Sequence, residues 1–193
     1  MVGLLVALGQ EYGREVLRRL LDAYVFFFRG TPLLVLLFLF YWSVLPALGL
    51  RLGTLQASTV VLALYSGAYQ SQVFRSALRS VDEGQVLAGK ALGMTDLQVL
   101  LHVIVPQALR ISLPAWSNEY ASLLKDSAIC YALGVTEVLT RTRFVVIAVG
   151  EALLPYILSG VLFMLLTYGG GRLIEAVYKR LIPPGLLGGL GNE

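Results

Sequence analysis

The chain has 193 residues, of which 57% are hydrophobic and only 14% are charged, with a formal net charge of +3. An average soluble domain carries about 25% charged residues, so this composition excludes an ordinary soluble enzyme and indicates a membrane protein. The small positive charge gives no support to nucleic-acid binding, which needs basic residues clustered on a soluble face. We expect a single membrane domain over residues 1–193, with a short tail at 182–193.

The N-terminal residues do not have the length and composition of a complete membrane span. Residues 1–9 are apolar but too short to cross a bilayer, so we expect them to be the inner end of a truncated first span. Residues 10–22 carry Arg14, Arg18 and Arg19, with apolar residues grouped on one helical face. This pattern predicts a helix that leaves the bilayer.

Three windows lack charged residues: 33–50, 52–74 and 152–171. Each is near the roughly 20 residues that a helix needs to cross about 30 Å of hydrocarbon. A fourth apolar window, 111–135, is interrupted by charged residues, and we count it as membrane-embedded. With the truncated first segment, the sequence predicts an all-α multipass transmembrane fold of about five spans.

Basic residues flanking these windows predict the orientation. Eleven Lys and Arg residues lie on the side that includes residues 80–106, and three, Arg51, Arg141 and Arg143, lie on the other. Basic loops are retained in the cytoplasm, so residues 80–106 are predicted to face it. We call residues 80–106 the coupling segment.

Local signals divide the coupling segment into two short helices. Ser80 with Glu83, and Thr95 with Gln98, match the capping-box pattern of helix N-termini. Gly93 stands where a left-handed residue would end the first helix. The two helices are therefore predicted to meet at Gly93.

The second short helix has an apolar stripe. Leu97, Leu100, Leu101 and Ile104 recur at helical spacing and are predicted to pack on the membrane domain, with Pro106 ending the helix. A short amphipathic helix in the cytoplasm fits a groove on a partner protein. The alternative is an interfacial helix that rests on lipid headgroups.

Two features that suggest chemistry are rejected. Residues 84–91 read GQVLAGKA, one residue short of the phosphate-binding pattern, because Ala91 replaces the Ser or Thr that would hold Mg²⁺. Cys130 is the single cysteine, so it builds neither a disulfide nor a metal site. We therefore expect no cofactor, no metal and no catalytic residue in this chain, and any ATP would be hydrolysed by another chain.

The coupling segment also resembles a known family. GQVLAGKALGMTDLQVLLHVIVPQALR is similar to the cytoplasmic loop of ABC importer permeases, whose pattern is EAA, three residues, Gly, nine residues, then I-x-L-P. Gly93 is the motif glycine, and residues 103–106 fill the I-x-L-P end. RGTPLL at 29–34, GAYQSQVFRSAL at 67–78 and NEYASLLKDSAI at 118–129 resemble segments of the polar amino acid branch, of histidine, glutamine or arginine type.

The resemblance implies a fold, partners and a location. It implies a type I importer permease in the bacterial cytoplasmic (inner) membrane that moves polar amino acids inward. The implied partners are ABC ATPase subunits, a second permease copy or paralogue, and an extracellular solute-binding protein. The residues implied at the contact with the ATPase are Gly84, Gln85, Leu87, Ala88, Gly89, Gly93, Met94, Thr95 and Gln98.

Two positions depart from the family pattern. Leu87 stands where the EAA motif has its glutamate, and Gln72 stands where the branch usually has Glu in its GAY segment. Both replacements remove a charge. The resemblance places the motif glutamate at the ATPase contact, so Leu87 alters either the strength of coupling or the identity of the partner.

Embedded polar residues predict a route for the cargo. In a helix over 111–135, five polar side chains form one stripe, which an amino acid zwitterion can use because it offers both acceptors and donors. One alternative is that Lys125 and Asp126 neutralise polar neighbours near a helix end or sit at a boundary with water. Another is that Lys125, Asp126 and Glu119 couple ions in a secondary carrier or gated channel. The stripe consists of Asn118, Glu119, Ser122, Lys125 and Asp126.

Overall fold

The computed structural model describes the backbone of residues 2–181 and the side chains up to residue 176. Every regular element in that range is a helix, which confirms the all-α prediction. The predicted tail at 182–193 lies outside the described residues. The helices are α1 Val2–Tyr12, α2 Glu15–Gly30, α3 Leu33–Ala47, α4 Thr54–Arg79, α5 Glu83–Ala91, α6 Asp96–Leu133, α7 Val138–Val149 and α8 Leu153–Leu181.

Two of the described helices are long and apolar enough to cross a membrane, α6 with 38 residues and α8 over Leu153–Ala176 with 24. Helices α2 and α3 meet the same criteria only as a pair, and they are bent by 110° at their junction. The predicted window 33–50 is therefore not a full span by itself. Helix α4, with 26 residues, is long enough to cross but less apolar, so its crossing stays a prediction.

The predicted helix over residues 10–22 is wrong, because α1 ends at Tyr12 and α2 begins at Glu15. Arg14 between them has extended backbone angles. A Cβ atom at Gly13 would overlap the carbonyl oxygen of Gly9, so this tight turn requires glycine. The helical pattern in the sequence continues through residues 13 and 14, where the structure has a turn between two helices.

The prediction that Pro106 ends a helix is also wrong. Helix α6 passes through a π-helical turn at Leu100–Ile104 and continues beyond the proline. In that turn the Val105 amide donates to the Leu100 carbonyl, five residues earlier. This wider turn changes the backbone pairing just before Pro106, and π-helix, which is rare, occurs mostly as single turns of this kind within α-helices.

Buried side chains form two clusters. One lies among α1 to α4 and the end of α6, and it includes Leu36, Leu37 and Val61. The other joins the end of α4 to the coupling segment. This second cluster ties the coupling segment to the helices, and its buried members are Ala7, Phe74, Ala77, Leu78, Val81, Val99, Ile104 and Ala108.

A polar junction holds α1 against α4. Glu11 Oε2 lies 3.1 Å from Arg75 Nε and 2.9 Å from Arg79 Nε. Beside it, Gln72 Nε2 donates to Gln10 Oε1 at 3.1 Å. Gln72 is thus paired with a neutral amide, which needs no charge at that position.

Candidate functional site

The first helix of the coupling segment, α5, begins differently from the prediction. Asp82 is its N-cap, and the Asp82 carboxylate accepts a hydrogen bond from the Gly84 amide at 2.8 Å. Ser80 instead ends α4, and its hydroxyl donates to the Ala77 carbonyl at 2.9 Å. The predicted capping box of Ser80 with Glu83 is therefore wrong, because a carboxylate two residues later takes the role.

The end of α5 is as predicted. Gly93 has a φ of +82°, a left-handed conformation that glycine adopts without steric cost. The Gly93 amide donates to the Lys90 carbonyl at 2.9 Å, and the Met94 amide donates to the Gly89 carbonyl at 3.1 Å. These two bonds form a Schellman motif, which turns the chain sharply into α6.

Helix α6 begins with the predicted capping box. The Thr95 amide donates to Gln98 Oε1 at 2.8 Å, and the Gln98 amide donates to Thr95 Oγ1 at 3.3 Å. Lys90 Nζ of α5 lies 2.9 Å from Asp96 Oδ1 of α6. The corner between the two helices is thus closed by backbone, side-chain and ionic contacts.

The packing face of early α6 differs from the predicted stripe. Leu97 and Leu101 are 64% and 52% exposed, whereas Val99 is 1% exposed and Ile104 is 8% exposed. Leu100 is half-buried against the second core cluster. The π turn changes the angular spacing of these side chains, so a regular helical period misassigned the buried face.

The inner face of α5 packs against α6. Gly89 is buried, and a Cβ there would lie 3.2 Å from a methyl group of Val99. Gln107 Nε2 donates to Gln85 Oε1 at 2.5 Å. Of the residues predicted to contact an ATPase, Gly89 is buried and Met94 is half-buried, while the other seven are exposed.

A polar cavity of about 210 Å³ lies between α4 and α6. Its wall includes two tyrosine rings, Tyr65 and Tyr69, with centroids 4.8 Å apart. Two carboxylates from α6 face the same space, so the cavity combines negative charge with aromatic and hydroxyl groups. The lining residues are Tyr65, Ser66, Tyr69, Glu119, Ser122, Leu123 and Asp126.

Arg29, at the end of α2, supplies a cation beside this cavity. Its guanidinium carbon lies 5.2 Å from the centroid of the Tyr69 ring, within the range of a cation–π contact. The Tyr69 hydroxyl donates to the Arg29 carbonyl at 3.5 Å.

The structure brings together three of the five predicted stripe residues. Glu119, Ser122 and Asp126 line the polar cavity. Asn118 instead lines a second cavity of about 540 Å³ between α6 and α8. Lys125 is exposed and is not among the residues that line either of these two cavities.

A comparison with known protein families covers nearly the whole chain. Its result is consistent with the helical architecture, the capped coupling segment and the polar cavity. Residues 1–183 match the family described as "Binding-protein-dependent transport system inner membrane component". The chain belongs to this family. It is therefore a permease subunit of a transport system and not an enzyme, which confirms the resemblance carried by the four sequence motifs.

Relatives of this permease carry names that refer to amino acids. The probable glutamine ABC transporter permease protein GlnM of Bacillus subtilis is 34% identical, over 94% of this chain and 83% of the relative. The putative glutamine transport system permease protein GlnP of Rickettsia bellii is 30% identical, over 94% and 84%. The probable amino-acid permease protein YxeN of Bacillus subtilis is 38% identical, over 73% of this chain and 64% of its own length.

Solved structures have the same fold. A crystal structure described as an amino acid ABC transporter with histidines has a TM-score of 0.83 at 31% identity, over 93% of this permease and 83% of that chain. An inward-facing MetNI methionine ABC transporter has a TM-score of 0.76 at 24% identity, over 94% and 85%, which shows the fold alone.

Sequence reasoning missed four residues that line the polar cavity of this permease, Tyr65, Ser66, Tyr69 and Leu123, and it also missed Arg29, which contacts the Tyr69 ring. Tyr65 and Tyr69 are four residues apart in a window without charged residues, and that spacing places both rings on one helical face. This was the available signal. Arg29 had no such signal, since its contact with Tyr69 depends on how α2 packs against α4.

Among the described residues, no group of three or more His, Cys, Asp and Glu side chains is placed to hold a metal ion. Cys130 is buried at 4% exposure within the first core cluster. It therefore has the packing role expected of a lone apolar-environment thiol.

Proposed function

We propose that this permease forms the membrane path of an ABC importer that moves polar amino acids into the cytoplasm, with ATP hydrolysed by a separate subunit. The observation that carries the proposal is the construction of α6. One end of this helix is locked to α5 in the coupling segment, and its later residues supply both carboxylates of the polar cavity. A movement of the coupling segment is thereby transmitted to the cavity.

The polar cavity fits an amino acid zwitterion. Glu119 and Asp126 are acceptors for an ammonium group, and Arg29 is a donor for a carboxylate. Charged groups within a bilayer cost about 2.5 to 3.5 kcal/mol each on insertion scales, so they are retained where they serve a polar path. The names of the relatives GlnM and GlnP support an amino acid cargo.

The remaining stripe residues extend the path. Asn118 faces the neighbouring cavity, which also has Arg172 and Glu175 in its wall. Lys125 is exposed next to Asp126 and offers a second donor for a carboxylate. We assign to the path the five residues Asn118, Glu119, Ser122, Lys125 and Asp126, together with the tyrosines of α4.

Coupling requires partner proteins that bind the permease on its cytoplasmic side. The coupling segment receives the ATPase through Gly84, Gln85, Leu87, Ala88, Gly93, Met94, Thr95 and Gln98, while Gly89 fastens α5 to α6. The assembly contains a second permease copy or a paralogue, and an extracellular solute-binding protein delivers the cargo. The complex lies in the bacterial inner membrane with the coupling segment on the cytoplasmic side.

Uptake by proteoliposomes tests this function. The permease is reconstituted with the ATPase and binding protein of its transport system, and labelled glutamine, histidine and arginine are offered one at a time. We expect uptake of at least one amino acid that requires both ATP and the ATPase. Uptake driven by an ion gradient in liposomes that contain the permease alone would contradict the proposal and favour a secondary carrier.

A further inference from the structure

Helix α2 meets α3 at a sharp bend. The two helices are bent by 110° relative to each other at their junction. Residues 31–50, which include α3, contain no charged side chain, whereas α2 contains five. Because charged side chains are costly in hydrocarbon, α3 enters the bilayer and α2 stays at its surface. The bend therefore places α2 along the plane of the membrane.

One face of α2 is apolar and is not covered by the described part of the chain. Its residues follow the i, i+4, i+7, i+11 spacing of a single helical face, and all four are exposed. We call them the apolar face of α2, and they are Val16, Leu20, Ala23 and Phe27. Val16 is 72% exposed and Leu20 is 64% exposed. Helix α2 packs on the permease through other residues, since Val25 and Phe28 are buried in the first core cluster.

The acidic side chains of α2 have partners within the permease. Asp22 Oδ1 accepts a hydrogen bond from Gln10 Nε2 at 2.7 Å and lies 3.6 Å from Arg75 Nη1. Glu15 Oε1 lies 2.8 Å from Arg19 Nε on the next turn of the helix. Both carboxylates of α2 are thus balanced by a neighbouring cation.

Two basic side chains at the start of α2 remain available. Arg14 and Arg18 are exposed, and neither forms an ion pair with any residue that the structure describes. A guanidinium group binds a phosphate through two parallel hydrogen bonds. Surface helices that combine an apolar face with Arg and Lys bind anionic leaflets, and the cytoplasmic leaflet is anionic. The charge of this end of α2 is therefore complementary to anionic phospholipid.

We infer that α2 is an interfacial helix that binds anionic phospholipid of the cytoplasmic leaflet. Its apolar face inserts between the lipids, and Arg14 and Arg18 bind the phosphates of their headgroups. The continuity of α2 with α3 favours lipid over a protein partner, because the apolar face lies at the level where α3 enters the bilayer. The inference goes beyond the proposed function and rests only on the predicted orientation in the membrane.

Fluorescence quenching by labelled lipids tests this site. Leu20→Cys, in a permease that carries Cys130→Ser, is labelled with bimane, and the complex with its ATPase subunit is reconstituted into phosphatidylcholine vesicles. A fraction of the lipid is replaced by phosphatidylglycerol or phosphatidylcholine that carries a nitroxide near the headgroup. The position control is Glu83→Cys, an exposed residue of the coupling segment.

The arginines are tested in the same labelled background. Arg14→Gln with Arg18→Gln removes two positive charges from α2. The matched control is Arg51→Gln with Arg141→Gln, which removes two exposed charges predicted to lie on the other side of the membrane.

We expect both lipids to quench bimane at Leu20→Cys, with an affinity about fivefold or more higher for phosphatidylglycerol than for phosphatidylcholine. Arg14→Gln with Arg18→Gln should abolish this preference, the control pair should retain it, and Glu83→Cys should be quenched little. Should the double variant disturb folding, high salt in the labelled background provides the same test, because it should screen the preference away.

Two results would overturn the inference. Absence of quenching at Leu20→Cys would place the apolar face against protein, either the ATPase or a second permease. Equal quenching by the two lipids would show a surface helix without a site for anionic headgroups. Both results leave the proposed function standing if the complete transport system still takes up amino acids with ATP, whereas loss of that uptake with an intact lipid preference would contradict the proposed function alone.

Discussion

The two ends of α6 are built on opposite principles. At its beginning, Val99 and Ile104 are almost completely buried and Gln107 is hydrogen-bonded to α5. Further along, Glu119 and Asp126 are only half-buried and open into a polar cavity. The first region is closely packed, whereas the second leaves polar groups accessible from a cavity.

In the proposed function, one helix serves both coupling and transport. Close packing in the first region means that a shift of α5 carries α6 with it, because packed interiors resist continuous deformation. Open polar groups in the second region allow the same shift to change the shape of the cavity. The predictions below separate the two regions, beginning with the largest expected effect.

Removing the cavity carboxylates should have the largest effect. The double variant Glu119→Gln, Asp126→Asn should lower amino acid affinity by about 10- to 100-fold, since a hydrogen bond to a charged group contributes about 1.5–3 kcal/mol. The measurement is the KM for uptake in proteoliposomes. Glu15→Gln is the control, because Glu15 is an exposed carboxylate on α2 that pairs only with Arg19. An unchanged KM in the double variant would show that the cavity is not on the path.

A larger side chain at Gly89 should weaken the packing of α5 against α6. Gly89→Leu must displace α5, since even a Cβ there would lie 3.2 Å from Val99 and 3.4 Å from Met94. Overpacking of this kind costs about 1–3 kcal/mol, which thermal unfolding of the purified permease detects. Ala88→Leu, on the outer face of α5, should change stability by less than about 0.5 kcal/mol. Equal stability of the two variants would contradict the packing described here.

A substitution at Gly93 should change the stability of the permease only through the backbone conformation of that residue. Gly93→Ala should destabilise the permease by about 1–2 kcal/mol, because a left-handed conformation is unfavourable for a residue with a Cβ. Beyond the adjacent residues, no atom lies within 4 Å of the position a Cβ would take, so contacts with the rest of the permease do not contribute. Gly160→Ala in α8 is the control, with equally open surroundings and no positive φ. If Gly93→Ala is as stable as that control, the turn is not left-handed in solution.

The hydrogen bond between Gln85 and Gln107 should have the smallest effect. A double-mutant cycle of Gln85→Ala and Gln107→Ala should give a coupling energy of about 0.5–1.5 kcal/mol in thermal unfolding. The pair Gln98→Ala and Gln107→Ala, which has no such bond, is the control cycle. Additive effects in the first cycle would mean that the two side chains do not interact.

Local patterns in the sequence predicted local structure well. The capping box of Thr95 with Gln98 and the left-handed Gly93 were predicted because each depends on residues within one or two turns. Ser80 was misassigned because Asp82, two residues later, is a competing cap. Pro106 was misread because a π turn accommodates it, and no sequence signal distinguished that turn from a helix end.

The sequence predicted only some of the residues that line the polar cavity. The spacing of Glu119, Ser122 and Asp126 follows from one helix, so the sequence revealed it. Tyr69 reaches the cavity from α4 and Arg29 of α2 contacts its ring, and both positions depend on how the helices pack. A pattern along one helix carries no information about such contacts.

A distance measurement across α6 tests most directly the central claim that α5 and the cavity region move as one body. Spin labels are placed at Glu83→Cys on α5 and Ala115→Cys on α6, both exposed, in a permease that carries Cys130→Ser. Pulsed electron paramagnetic resonance should give one narrow distribution of distances between the two labels. This distribution should be the same in nucleotide-free and ATP-bound complexes. A change of about 5 Å or more, roughly one helical turn, would show that the coupling segment moves independently of the cavity and would contradict this account.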